Sequence, residues 1–103
     1  MLDSDRRRTQ RFPVQEIVSV SSAKDSFSAI SRDMSKGGAY LYTDHLIAEG
    51  WDVQFILTVP SHVTHAQVIR VWCSGKVVRL ESMAEGKFGM GVEFDRYQIL
   101  PES

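Results

Sequence analysis

Two groups of residues in this chain have the chemistry to hold an anionic purine. The first is Arg7-x-x-x-Arg11, and the second is Asp33-Met34-Ser35-Lys36-Gly37-Gly38. Arginine carries a planar, permanently charged fork that can grip a phosphate, bond guanine O6 and N7, or stack on a purine face. Aspartate offers the opposite chemistry, because its two acceptors match the paired N–H donors on the Watson–Crick edge of guanine. Ser35 can add a hydroxyl, and Gly37 and Gly38 allow a close approach of backbone. This division of labour suits a guanine nucleotide.

The elements that must position these groups are read from the rest of the sequence. A chain of 103 residues, 43% hydrophobic and 24% charged, has the length and composition of one globular domain with a single core. The net charge of -1 exerts no strong pull on nucleic acid or an anionic membrane. The positive charge is local, with Arg6, Arg7, Arg8 and Arg11 crowded into one segment. The single cysteine, Cys73, agrees with a reducing cytoplasm and is read as a strand residue without a reactive role. Residues Met1 to Arg8 contain no apolar signal-like stretch, and no apolar run reaches membrane-spanning length. The expectation is a small soluble, cytoplasmic protein.

Beyond the arginines, β-branched and aromatic residues fall in short runs between Gly, Pro, Ser and Asp, the pattern of an all-β barrel or sandwich. Strands are predicted over Val14 to Ser21, Phe27 to Arg32, Ala39 to Thr43, Val53 to Val59 and Phe88 to Phe94. In the first, Val14, Glu16, Val18 and Val20 share a face. Asp33 to Gly38 reads as a turn. The polar stretch from Asp44 to Asp52 reads as a connection with room for one helical turn. In the run from Ala66 to Leu80 the apolar phase shifts, so Gly75 marks either a bulge in one long strand or the turn of a hairpin.

These residues, taken in order, resemble the PilZ domain family of bacterial cyclic di-GMP receptors. The likeness rests on Arg7-x-x-x-Arg11, Asp33-x-Ser35-x-x-Gly38, Gly75-Lys76-Val77-Val78-Arg79 and Gly89-Met90-Gly91-Val92-Glu93-Phe94, and covers residues 6 to 94. The resemblance implies an all-β fold, a six-stranded antiparallel β-barrel. A flexible N-terminal arginine arm (1–11) would precede the barrel (12–95), and a tail (96–103) would leave room for at most a short C-terminal helix. It implies that Arg7 and Arg11 clamp phosphate and guanine while Asp33, Ser35, Gly37 and Gly38 receive a guanine from the barrel. Arg6 would stack on a further guanine if two intercalated nucleotides bind. The implied role is a non-enzymatic receptor that orders its arm on binding cyclic di-GMP and regulates a downstream protein, with no cofactor and with homodimerisation left open.

Other residues carry weaker signals. His62 and His65 lack the further ligands a metal site needs and read as loop residues. Gly89 and Gly91 are followed by no helix, so close strand packing explains them better than a phosphate loop. Trp51 and Trp72 read as a core cover and a strand residue. No nucleophile elbow or Walker motif is present, which argues against catalysis. Two competing functions share the barrel: a protein-interaction module that uses no nucleotide, and a small barrel for single-stranded nucleic acid. The second would require a basic groove with stacking aromatics, and the overall charge argues against it.

Overall fold

The structure, a computed structural model, describes residues 10–101. Its strands are β1 (Phe12–Pro13), β2 (Ile17–Ser22), β3 (Ser26–Met34), β4 (Gly38–Thr43), β5 (Asp52–Val59), β6 (Ile69–Ser82) and β7 (Phe88–Ile99). All pairings are antiparallel. Neighbours run β3-β2-β5-β6-β7-β4, and a β3–β4 ladder joins the ends, so six strands close into the expected barrel. Closure removes the unpaired edges that an open sheet would expose. β2 meets β5 at only two positions, Ser21 with Gln54 and Ser22 with Val53, so the barrel is split along that seam.

Alternation drives this arrangement. In β5 the residues Val53, Phe55, Leu57 and Val59 are buried and their neighbours are not. Leu41, Leu57 and Met90 fill the centre of the barrel. Cys73 is buried among them, and burial pushes its thiol up to about 12, which agrees with an inert role.

β6 is one long strand, not a hairpin, and its register shifts between Ser74 and Gly75 and again between Val77 and Arg79. The first shift leaves Asp95 of β7 as the extra residue, so the bulge expected on β6 at Gly75 lies on the neighbouring strand instead; β6 itself bulges at Val78, where its own alternation breaks. Several boundaries differ from the sequence reading. β2 begins at Ile17, because Val14 to Glu16 form a bridging segment in which Val14 is buried and Glu16 is exposed. The connection from Asp44 onward contains bends and a turn but no helix; the helical turn α1 (Ser61–Thr64) lies after Pro60 instead. β7 runs on to Ile99, and no helix follows it among the described residues. Its extension was hidden because Asp95 to Ile99 are exposed and form no apolar run; Arg96 to Ile99 pair with Ser74 to Val71.

β3 positions the candidate site. Its first half pairs with β2, and its last two residues pair with β1, Phe12 opposite Met34 and Pro13 opposite Asp33. Pro13 is tolerated because β1 is a short edge. Between these ladders, buried Ser31 donates its hydroxyl to the Val14 carbonyl and accepts from the Glu16 N–H at 3.0 Å. The chain just after β1 is thereby held alongside β3.

Candidate functional site

The alternation of β3 buries Phe27, Ala29 and Ser31, and if continued it would bury Asp33. An unpaired carboxylate in an apolar core is prohibitively costly. The β3–β4 register instead breaks: Ser31 faces Leu41, while Asp33 faces Tyr40, leaving Arg32 as an extra residue. This bulge resets the side-chain phase. Arg32 and Asp33 consequently lie together on the outside of the barrel, where their side chains bond, Arg32 Nε to Asp33 Oδ2 at 2.6 Å.

Arg11, delivered by β1, completes the group. Its Nε donates to Asp33 Oδ1 at 2.6 Å, and its Nη1 lies 3.5 Å from Ser35 Oγ. Each oxygen of Asp33 thus accepts from a different guanidinium. Burial pushes the Asp33 carboxyl up, but the hydrogen bonds and charges of Arg32 and Arg11 outweigh it and hold the group below the ordinary carboxylate range. Asp33 is a carboxylate at neutral pH.

The turn that follows is tied down from within. The Ser35 N–H donates to the Gly38 carbonyl at 2.8 Å, Ser35 Oγ accepts from the Gly37 N–H at 3.3 Å, and the Gly37 carbonyl accepts from the Phe94 N–H at 2.8 Å. Gly38 has a packing reason to be glycine, since a Cβ there would strike the Val92 carbonyl of β7. Gly37 faces open space. Behind the turn, an apolar recess of about 190 Å³ is lined by Phe12, Met34, Val63 and Phe94 among others. It offers little to an anion, which leaves the outer face around Arg11 and Asp33 as the surface with the right chemistry.

Of the residues singled out from sequence, the fold brings Arg11, Asp33, Ser35, Gly37 and Gly38 into one place. Arg6 and Arg7 lie outside the described residues. No grouping of metal-ligating side chains occurs among the described residues. The PilZ domain family matches residues 5–101, which is nearly the whole chain and includes both motifs. The chain belongs to the PilZ family. PilZ domains form a family of cyclic di-GMP receptors and effectors. Among solved structures, the Bacillus subtilis inhibitor of motility MotI/DgrA superposes with a TM-score of 0.69 at 16% identity. The alignment covers 87% of this chain and 43% of that one, so the PilZ chain spans less than half of its structural neighbour. No curated protein sequence matches.

Several side chains of this PilZ site escape a motif-based reading. The Arg32 guanidinium carbon lies 4.1 Å from the centroid of the Tyr40 ring. The Tyr40 hydroxyl donates to Glu81, whose other oxygen accepts from Arg79 at 3.3 Å. Tyr40 lies over Gly89 and Gly91 of β7, and a Cβ at Gly89 would run into its ring. The two glycines therefore seat an aromatic ring that in turn supports the arginine beside Asp33. One signal in the sequence points to this: Asp33 has the same parity as Phe27, Ala29 and Ser31, so a bulge has to intervene if the carboxylate is to reach water.

Proposed function

We propose that this chain is a cyclic di-GMP receptor in which the bond between Arg11 and Asp33 is exchanged for bonds to the ligand. The observation that carries the reading is the convergence of half-exposed Arg11, partly covered Asp33 and buried Ser35 at the end of β3, with Asp33 already accepting from two guanidinium groups. The N1–H and N2–H donors of guanine are spaced like the N–H donors of a guanidinium, so an acceptor that suits one suits the other. Guanine would take the carboxylate, and the Arg11 fork, once released, would turn to a phosphodiester or to guanine O6 and N7. Arg7 would supply a second clamp, and Arg6 a stacking surface if a second nucleotide binds.

The proposed role is non-enzymatic. Closure of the N-terminal segment over the ligand would alter the surface offered to a downstream protein, or to a second copy of the chain. The direct test is titration calorimetry with cyclic di-GMP on the purified protein and on Arg7→Ala and Arg11→Ala. Charge-assisted hydrogen bonds are worth roughly 1.5–3 kcal/mol each, so each substitution is expected to weaken binding about tenfold to a hundredfold. Unchanged affinity in both variants would refute the clamp. No binding to the wild type at high micromolar ligand would favour a nucleotide-independent interaction module on the same barrel.

A further inference from the structure

The two guanidinium partners of Asp33 are attached to the protein in different ways. Arg11 precedes β1 and reaches Oδ1 from outside the barrel sheet; its side chain is as exposed as that of Arg32, so the difference between them lies in what each rests on. Arg32 is the bulged residue of β3 and reaches Oδ2 at 2.6 Å while its guanidinium lies over Tyr40. Tyr40 is itself immobilised: it is 6% exposed, its hydroxyl is held by Glu81, and its ring fills the space left by Gly89 and Gly91. A cation over an aromatic face gains electrostatic attraction and stacking contact. Arg32 is therefore pinned at both its stacked face and its Nε, whereas Arg11 is held through hydrogen bonds to Asp33 and Ser35.

We propose that Arg32, which neither motif includes, is a positioning residue for guanine: it fixes Oδ2 of Asp33 against the Tyr40 platform, so that exchange with the ligand occurs at Oδ1. This rests on the reading of the chain as a cyclic di-GMP receptor. The terminal torsion of an aspartate is broad, so a carboxylate without a second anchor samples many planes. Guanine presents N1–H and the N2 amino group side by side, and both meet acceptors only when the carboxylate lies in the plane of the base. Fixing that plane in advance removes an ordering cost from binding. Oδ2 also retains a lone pair for the N2 amino group beside its bond to Arg32.

The consequence is a matter of base specificity. Hypoxanthine keeps N1–H and lacks the N2 amino group, so a well-set carboxylate should separate guanine from hypoxanthine, and a freely rotating one should do so less well. A buried or preset polar site rejects an analogue that leaves one of its groups unpaired.

The test is calorimetric titration of the wild type, Arg32→Ala and Arg32→Lys with cyclic di-GMP and with cyclic di-IMP. Arg32→Ala is expected to lose about tenfold in cyclic di-GMP affinity and much less with cyclic di-IMP, so that the ratio of the two contracts. Arg32→Lys keeps the charge but has no Nε–H and no planar face, and it should contract the ratio as well. Equal losses for both ligands, or full recovery by lysine, would show that Arg32 acts through stability or charge and would overturn the proposal. Wild-type protein that binds cyclic di-GMP with a ratio unchanged by Arg32→Ala overturns this inference alone. Failure of the wild type to bind overturns the receptor reading and the inference with it.

Discussion

Arg11 donates from Nε to Oδ1 of Asp33 at 2.6 Å, across 22 residues of chain, and so joins the end of the arginine segment to the end of β3. The pair lies at the surface, with side-chain exposures of 46% and 16%. Exposed ion pairs contribute about 0–1 kcal/mol to stability, because solvent screens the attraction and ordering two side chains costs entropy. Arg11→Ala should therefore shift the denaturation free energy by less than about 1 kcal/mol while weakening cyclic di-GMP binding at least about tenfold. Chemical denaturation and calorimetry on the same variant check the two halves. A large stability loss with unchanged affinity would mean that the pair serves the fold alone.

Gly89 and Gly37 make a contrasting pair. A Cβ at Gly89 meets the Tyr40 ring, whereas a Cβ at Gly37 meets nothing within 4 Å. Overpacking a fitted site costs about 1–3 kcal/mol, so Gly89→Ala should destabilise by that amount and also weaken the ligand by tilting Tyr40 and Arg32. Gly37→Ala should leave stability unchanged or raise it by up to about 1 kcal/mol, through the lower entropy of the unfolded chain. Denaturant melts of both variants separate the outcomes. Equal destabilisation would contradict the seat assigned to Gly89.

Tyr40 should report on its surroundings at high pH. Burial pushes its hydroxyl up to about 12 from 10.0, and the Glu81 carboxylate that accepts its hydrogen bond adds to the effect. A folded-state pKa above the unfolded value means that the stabilisation is complete below pH 10 and is lost as pH rises toward 12. Ultraviolet difference titration should show one late-ionising tyrosine, absent from Tyr40→Phe. If the ionisation lost in Tyr40→Phe falls in the ordinary tyrosine range, the Tyr40–Glu81 contact leaves the account.

Asp33 gives the opposite sign at low pH. Its carboxyl is held below the ordinary value of 3.8 despite burial, so its contribution is present above that value and is lost as pH falls through the depressed one. Cyclic di-GMP affinity should accordingly hold steady down to mildly acidic pH and collapse only below the ordinary aspartate range. A midpoint near neutrality would point to a histidine in place of Asp33.

Much of this was legible from residue types, and the rest was not for identifiable reasons. β5 declares itself because Val53, Phe55, Leu57 and Val59 alternate without a break, and period-two burial leaves no other arrangement. The turn at Ser35 to Gly37 was legible from its composition, although Asp33 and Met34 still belong to β3. The bulge at Arg32 was not read, because a single extra residue changes side-chain phase without leaving a Gly or Pro to mark it. Tyr40 looked like any aromatic strand residue. Its role depends on glycines of β7 that are remote in sequence, and only the closed barrel brings them beneath it.

The most direct measurement is the affinity of Asp33→Ala for cyclic di-GMP, set against the wild type under identical conditions. Both arginines converge on this carboxylate, and it is the group assigned to guanine. The account predicts a loss of about tenfold to a hundredfold, with the barrel still folded by circular dichroism. Wild-type affinity in a folded Asp33→Ala protein would contradict it.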